Sequence, residues 1–225
     1  MKLKLINFVV LAVFAIPAIS SATPPRMGPY FSGFVGVSIP QDSHVNTTTF
    51  NNSVINDRVE FDPGINVGGS GGFDFGYVRL EGELSYKHSE ISTVNDQTNA
   101  VHYGNVDGHV GVFAAMFNGF LDLHNNTPVT PYLGGGIGIA RLHLNKTDGI
   151  SSISGSRTRL YDSDDDSVFA YQAGGGLEVA LNRMLSLDLG YRYFGTSKAH
   201  FEGSQGSTDL KYVSHNGIVG IRVTF

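Results

Sequence analysis

The most concentrated group of residues that could do chemistry is the acidic run Asp162-Ser163-Asp164-Asp165-Asp166. Carboxylates at alternate positions ligate calcium in an EF-hand loop, which also needs glycine at its sixth position and glutamate at its twelfth. Counted from Asp162, those positions hold Ser167 and Ala173. The run therefore fails the calcium motif, and we interpret it as solvated loop charge.

Histidine is the other residue type here that could ligate a metal or act as a base. The chain has eight histidines, with no HExxH motif and no close pair at ligand spacing. Cysteine is absent, which excludes thiol catalysis and cysteine-ligated metals. The sequence therefore predicts no metal and no cofactor, with ordinary loop or lumen roles for the histidines: His44, His88, His102, His109, His124, His143, His200 and His215.

Two further patterns could indicate catalysis or nucleotide binding. Ser214-His215 pairs a nucleophile with a base, but neighbouring side chains of a strand point to opposite faces and cannot interact directly. The glycine-rich stretch 66–72 has no lysine and no following helix, so it is not a phosphate loop. We predict that the chain is not an enzyme.

Charged side chains also occur at every second position of otherwise apolar segments. From Val78 to Lys87, charged residues such as Arg79 and Glu81 alternate with apolar residues or glycine. Successive side chains of a strand face opposite sides, so this spacing gives a strand one polar face and one apolar face. The 29 glycines, 15 phenylalanines and 10 tyrosines also favour strands over helices. The period of two indicates eight strands, near residues 30–39, 65–75, 78–87, 103–123, 132–140, 170–181, 185–193 and 211–225.

The strand at 103–123 departs from this regularity. Its even positions are apolar up to Met116, and beyond that point Phe117 and Leu121 place apolar residues at odd positions. A bulge near residues 115–118 would exchange the two faces, and the faces of this strand stay unassigned.

The connections between the eight strands alternate in length. Short connections are predicted at 76–77, 124–127 and 182–183, and long polar ones at 40–60, 88–102, 145–166 and 195–209. This alternation is typical of an up-and-down barrel that crosses an outer membrane, with short turns in the periplasm and long loops outside. The fold class predicted is all-β, an eight-stranded antiparallel up-and-down transmembrane β-barrel.

The polarity of the two faces indicates which solvent lies on each side. A soluble barrel of the lipocalin type needs an apolar cavity, whereas the inward face here is charged. Lipocalins typically carry a tryptophan on the first strand, and this chain has none. We expect the apolar face to meet lipid and mixed charges to satisfy each other in a narrow lumen. The predicted lumen charge network is Asp74, Arg79, Glu81, Glu83, Lys87, Glu178, Asp188, Arg192 and Arg222.

The N-terminal segment is expected to be an export signal. Lys2 and Lys4 precede an apolar run too short to span a bilayer, and small residues at Ser20 and Ala22 suit a cleavage site. We predict a cleaved signal peptide at 1–22 and a single barrel domain at 23–225. Cleavage removes two of the 15 basic residues and none of the 20 acidic ones, so the net charge falls from −5 to about −7. No basic stripe suits nucleic acid.

Several segments resemble a known family. The stretch 131–140 (PYLGGGIGIA) resembles the PY-x-G-x-G-x-G strand of small Gram-negative outer-membrane barrels, the opacity-protein, OmpA-like porin and surface-antigen superfamily. The stretch 187–193 (LDLGYRY) is similar to that superfamily's LGYRY strand, and 170–177 and 219–225 to its neighbouring and closing strands. In this family the terminal aromatic residue is the insertion signal read by the barrel assembly machinery, which implies that role for Phe225.

The resemblance implies location in the outer membrane and leaves the activity to the loops. We predict a surface protein with a largely plugged polar lumen and four long exposed loops, serving envelope structure or surface interaction as an adhesin or antigen. The alternative is a narrow porin-like channel for small solutes. Expected partners are outer-membrane lipid and lipopolysaccharide, the barrel assembly machinery and periplasmic chaperones during biogenesis, and a host or extracellular ligand at the loops.

Overall fold

The computed structural model describes residues 27–49, 54–96, 101–153, 155–161, 163–203 and 206–225, so the predicted signal peptide at 1–22 lies outside the described residues. Within them the backbone forms one sheet of 13 strands. The strands are β1 (Gly28–Pro40), β2 (Ser43–Thr49), β3 (Val54–Phe61), β4 (Gly64–Asp74), β5 (Val78–Asp96), β6 (Val101–Asp107), β7 (His109–Asp122), β8 (Val129–Leu144), β9 (Thr147–Ser151), β10 (Arg157–Tyr161), β11 (Asp164–Ala180), β12 (Leu185–Gly203) and β13 (Gly206–Thr224).

Eight long strands close into a barrel. They follow one another around the ring as β1, β4, β5, β7, β8, β11, β12 and β13, and every neighbouring pair is antiparallel. β1 pairs with β4 on one side and with β13 on the other, which closes the ring. Closure leaves no unpaired edge in this part of the sheet, as strands in hydrocarbon require. The predicted eight-stranded antiparallel up-and-down barrel is confirmed.

Short turns close one end of the barrel, called the lower end here, and each is organised by an Asp or Asn side chain. Asp74 Oδ1 accepts the Gly76 N–H at 2.7 Å, Asn125 Oδ1 accepts the Thr127 N–H at 2.7 Å, and Asn182 Oδ1 accepts the Met184 N–H at 2.8 Å. Such side chains replace a backbone partner in a tight turn. Gly76 also has a φ of +98°, a conformation that favours glycine.

The opposite, upper end is more ordered than the sequence predicted. The connections expected to be long polar loops contain the β2–β3 hairpin, the β9–β10 hairpin and the strand β6, and β5, β12 and β13 extend into this region. β2 and β3 lie between the upper parts of β13 and β5. Strand pairing satisfies the backbone polar groups that a loop would leave to water. The paired segments therefore extend the barrel wall upward, and this extension is called the upper wall here.

The strand β7 corrects another prediction. Its register with both neighbours is continuous from Val110 to Leu121, so the bulge considered near residues 115–118 is not there. Even-numbered side chains are buried along the whole strand, from the apolar Val110 and Met116 to the polar Asn118 and Asp122. The change of polarity at Met116 therefore reflects a change in the lumen and not in the strand. Register shifts occur instead at Glu60/Phe61 opposite β5 and at Gly195/Lys198 in β12.

The inside of the barrel has two regions of different chemistry. The lower region, called the charged lumen, buries the charged side chains of β5, β11, β12 and β13 together with Tyr30, Asn118, Asp122, Tyr132 and Gln172. The upper region, called the upper core, is a cluster of buried apolar residues: Val59, Phe61, Ile91, Val94, Val110, Val112, Ala114, Met116, Ala140, Leu142, Leu144, Val168, Ala170, Phe194, Ala199, Phe201, Leu210 and Tyr212.

The outer surface around the charged lumen is apolar. Phe31, Ile137 and Ile139 are 60–67 % exposed, and equivalent side chains surround the barrel. Aromatic residues border this belt, with Tyr86, Phe113 and Tyr191 above and Phe73, Phe75, Tyr77 and Phe225 below. A continuous apolar band between two aromatic girdles is the surface of a barrel in lipid.

Among the described residues, no helix has the length and apolar character that crossing a membrane would need.

Candidate functional site

The centre of the charged lumen is an ion pair that spans its diameter. Arg192 lies on β12 and contacts Glu83 on β5, which is the fourth strand away in either direction around the ring. Its second guanidinium nitrogen lies 4.0 Å from Glu81. Glu83 also accepts the side-chain amides of Asn118 at 2.9 Å and Gln172 at 3.1 Å. Four strands thus meet at one carboxylate.

A second cluster lies toward the lower end. The Arg79 Nε is 2.6 Å from Asp122, and its Nη1 is 3.9 Å from Glu178 on β11. Arg222 on β13 also contacts Glu178. This cluster links β5, β7, β11 and β13 and lies below the pair made by Arg192. Charges taken out of water need such partners because their desolvation costs several kcal/mol each.

Aromatic rings complete the packing around the cations. The Arg79 guanidinium carbon lies 5.1 Å from the Phe120 ring centre and 4.9 Å from that of Tyr132. Lys87 Nζ lies 4.1 Å from the Phe194 ring centre and donates to the Ser85 hydroxyl at 3.1 Å. These contacts stabilise a buried cation through the negative faces of the rings.

Buried tyrosines donate hydrogen bonds to two of the lumen carboxylates. Tyr30 donates to Glu81 at 2.8 Å, and Tyr132 donates to Asp188 at 2.7 Å. The Tyr132 hydroxyl needs the glycines beside it, since a Cβ at Gly176 or Gly190 would come within 2.6 or 2.8 Å of that oxygen. Inward glycines therefore leave room for long polar side chains.

All nine residues of the predicted lumen charge network are buried. Eight of them face one another in the lumen, whereas Asp74 caps the turn at Gly76. The sequence interpretation missed the buried partners Tyr30, Asn118, Asp122, Tyr132 and Gln172. Asn118 and Asp122 could have been found by keeping the even-numbered phase of β7 without a bulge.

The acidic run differs from the solvated loop we expected, because its described aspartates, Asp164 to Asp166, begin β11. Asp164 and Asp166 accept backbone N–H groups of Glu202 and His200 on β12, each at 2.8 Å. Asp165 points outward and contacts Arg141 at 3.0 Å and His143 at 2.7 Å. The His143 hydrogen bond and the Arg141 guanidinium lower the pKa of the Asp165 carboxyl.

The described histidines lie mostly near the upper end and point outward. His215 is partly exposed while its neighbour Ser214 is buried in the lumen, on the opposite face. His200 hydrogen bonds Asp209 at 2.8 Å, and this bond raises the pKa of His200. Within the described ranges, no three His, Cys, Asp or Glu side chains form a group that could hold a metal ion.

A closed antiparallel barrel with a lipid-facing belt and a polar lumen defines the class of transmembrane β-barrels. The comparison with family models gives the particular family, because the model described as outer membrane protein beta-barrel domain matches residues 7–225. The chain therefore belongs to this family of outer-membrane β-barrel proteins. Its location is the outer membrane of a Gram-negative cell envelope.

The chain is also similar to individual proteins. The chain is 27 % identical to outer membrane protein PagN of Salmonella typhimurium over 240 residues, which cover 97 % of this chain and 98 % of PagN. Outer membrane protein OprG from Pseudomonas aeruginosa has a TM-score of 0.59 at 12 % identity, covering 89 % of this chain and 97 % of OprG. Neisserial surface protein A has a TM-score of 0.48 at 17 % identity, covering 87 % of this chain and 97 % of that protein.

Proposed function

We propose that this protein is a plugged, non-catalytic barrel that presents its upper end at the cell surface. The observation that carries the proposal is the Arg192–Glu83 pair, which joins opposite walls of the lumen. A barrel of eight strands is only wide enough for side chains to fill. A bond across the diameter divides what space remains.

The upper core supports the same proposal. It lies above the charged lumen, so a solute would have to pass both regions. One cavity in the upper core has room for about one water, at about 10 Å³. Its lining is Val59, Phe61, Ile91, Val110, Leu144, Thr208 and Leu210.

Planar-bilayer conductance tests the plug against the alternative of a narrow porin-like channel. We expect no steady open level for the wild-type barrel. Arg192→Ala removes the bond across the lumen and should give measurable conductance, whereas the matched change Arg141→Ala, on the outer surface, should give none. Steady conductance from the wild type would instead support the channel.

The surface role is inferred from the upper wall. Short turns of outer-membrane barrels face the periplasm and longer connections face outward, so the hairpins β2–β3 and β9–β10 would lie outside the cell. Their outward charged groups include Arg58, paired with Asp42, and Arg157, paired with Asp107. We propose that this wall serves envelope structure or contacts a host or extracellular ligand. Deleting β2–β3 should abolish such contact in a cell-binding assay and leave the barrel heat-modifiable on gels.

The seam of the barrel suits the proposed biogenesis. Phe225 donates its N–H to the Pro29 carbonyl at 3.0 Å, and its ring lies edge-to-face with Phe31 at 6.3 Å. We propose that residues 1–22 direct export, that periplasmic chaperones carry the chain, and that the assembly machinery reads Phe225. Phe225→Ala should lower the outer-membrane level of the protein without lowering its refolding yield in detergent.

A further inference from the structure

Two lysines face each other directly on the outer surface, just above the membrane belt. Lys198 on β12 and Lys211 on β13 are register partners, and both side chains are exposed. Directly opposed side chains of an antiparallel pair have Cβ atoms about 5 Å apart, and like charges in that position destabilise the sheet. An anion bound between the two ammonium groups would offset this repulsion.

The protein itself does not supply that anion among the residues described. No carboxylate lies within salt-bridge distance of either lysine there, and the acidic neighbours are bound elsewhere. Asp209, two residues before Lys211, is held by His200 at 2.8 Å. Gln41 is hydrogen bonded to β13, which brings the next residue, Asp42, to this strand. The Asp42 carboxylate is paired with Arg58 at 2.8 Å.

The neighbouring pair of strands, β8 and β11, shows the contrasting arrangement, with β11 paired directly to β12. On β8 and β11, the outward Arg141 and His143 share the Asp165 carboxylate at 3.0 and 2.7 Å. The outward cations of β8 therefore have a carboxylate partner on β11. Lys198 and Lys211 have no such carboxylate among the residues described.

Below the lysines lies an aromatic surface that continues into the lipid belt. His215 Nδ1 lies 2.6 Å from the Tyr191 hydroxyl, and the His215 ring packs edge-to-face with Tyr193 at 5.5 Å. Lys211 lies four positions before His215, about 13 Å along the strand. Strand tilt shortens that height, and a lysine side chain can reach back toward the interface.

From this arrangement we propose that Lys198 and Lys211 bind a phosphate of a phosphorylated glycolipid in the outer leaflet. The acyl chains lie on the apolar belt, the sugar packs on Tyr191, Tyr193 and His215, and the phosphate lies between the two ammonium groups. The proposal rests on the proposed orientation of the barrel, in which the upper end faces the outside of the cell. It is independent of whether the lumen is plugged.

Binding of lipid A tests the proposal with barrel refolded from denaturant into detergent, free of co-purified lipid. Lys198→Gln with Lys211→Gln should weaken binding of bisphosphorylated lipid A at least ten-fold, and Lys198→Arg with Lys211→Arg should retain it. A matched control, Arg157→Gln with Asp107→Asn, removes an exposed ion pair from β10 and β6, the strands that extend the sheet from β5 on the side opposite β12. It should bind within two-fold of wild type, and heat-modifiable migration verifies that each variant is folded.

Two ligand controls separate the sources of phosphate. Dephosphorylated lipid A should lose the same ten-fold, and soluble glucosamine 1-phosphate should not compete at millimolar concentration. Unchanged binding by the glutamine double variant would overturn the proposal, as would equal weakening in the matched control. Effective competition by the soluble sugar phosphate would overturn the membrane lipid as the source. The binding measurements are made in detergent and report on the outer surface, whereas conductance reports on the lumen. The two proposals can therefore fail separately.

Discussion

The charged lumen and the upper core lie along the same strands, yet they are built from opposite residue types. On β7, Asn118 and Asp122 point inward in the lower half, and Val110 and Val112 point inward in the upper half. The outward face changes in the reverse sense on β8, from Ile137 and Ile139 to Arg141 and His143. Where lipid lies outside, polar residues go inside. Where water lies outside, apolar residues point inward.

This comparison shows that one barrel can combine a membrane protein and a soluble protein end to end. The lower part gains nothing from burying apolar side chains, since lipid solvates them equally well, and is held by backbone pairing and buried ion pairs. The upper part buries apolar surface from water in the ordinary way. The upper part thus has the apolar interior and polar exterior of a soluble barrel.

The largest effect is expected from removing the central ion pair of the charged lumen. Arg192→Ala leaves Glu83 and Glu81 buried without their cation, and removing one partner of a buried pair costs about 3–5 kcal/mol. Urea titration of the refolded barrel, followed by gel mobility, measures the loss. Arg192→Met with Glu83→Gln should recover most of it, and a loss under about 1 kcal/mol in the single variant would contradict the central role of the pair.

A somewhat smaller and more local effect is expected in the upper region. Leu210→Ala leaves a cavity beside Val59 and Phe61, and truncating a buried leucine costs about 2–5 kcal/mol. Hydrogen exchange should speed up in β2, β3 and the upper parts of β12 and β13 while the membrane part stays protected. Uniform deprotection of the whole barrel would show that the two regions are not separately stabilised.

A third effect, about 1 kcal/mol, concerns the upper edge of β12. Asp164→Asn with Asp166→Asn removes the negative charge of two acceptors, so the Glu202 and His200 amides should exchange faster. Asp165→Asn is the matched control, because that side chain points outward and binds Arg141 and His143. Equal exchange in both variants would mean that the carboxylates do not protect this edge.

The smallest effect is pH-dependent. The Asp209 hydrogen bond raises the pKa of His200 above its ordinary value of 6.5, so the stabilisation is complete below pH 6.5 and is lost as pH rises through the folded pKa. NMR titration of the ring should show the raised pKa, and Asp209→Asn should lower it toward 6.5. The exposed setting keeps the effect on stability small.

Much of the fold could be predicted from the sequence because alternation is a local property. The inward phase of β5, from Arg79 to Lys87, follows from residue types alone. β7 could not be assigned in this way, because its apolar residues change phase where the lumen changes from charged to apolar. The strands of the upper wall were also missed, since their polar residues resemble loop residues until they are paired with neighbours.

What the sequence determined by itself was the barrel, its strand count and which charges point inward, because the period of two fixes the face of each side chain. Only the tertiary structure decided the partners. Arg192 reaches Glu83 because ring closure places β12 opposite β5, and Lys198 faces Lys211 through the register that follows the shift after Gly195. Contacts of this kind join residues far apart in the chain, and they depend on closure and register, which no local pattern records.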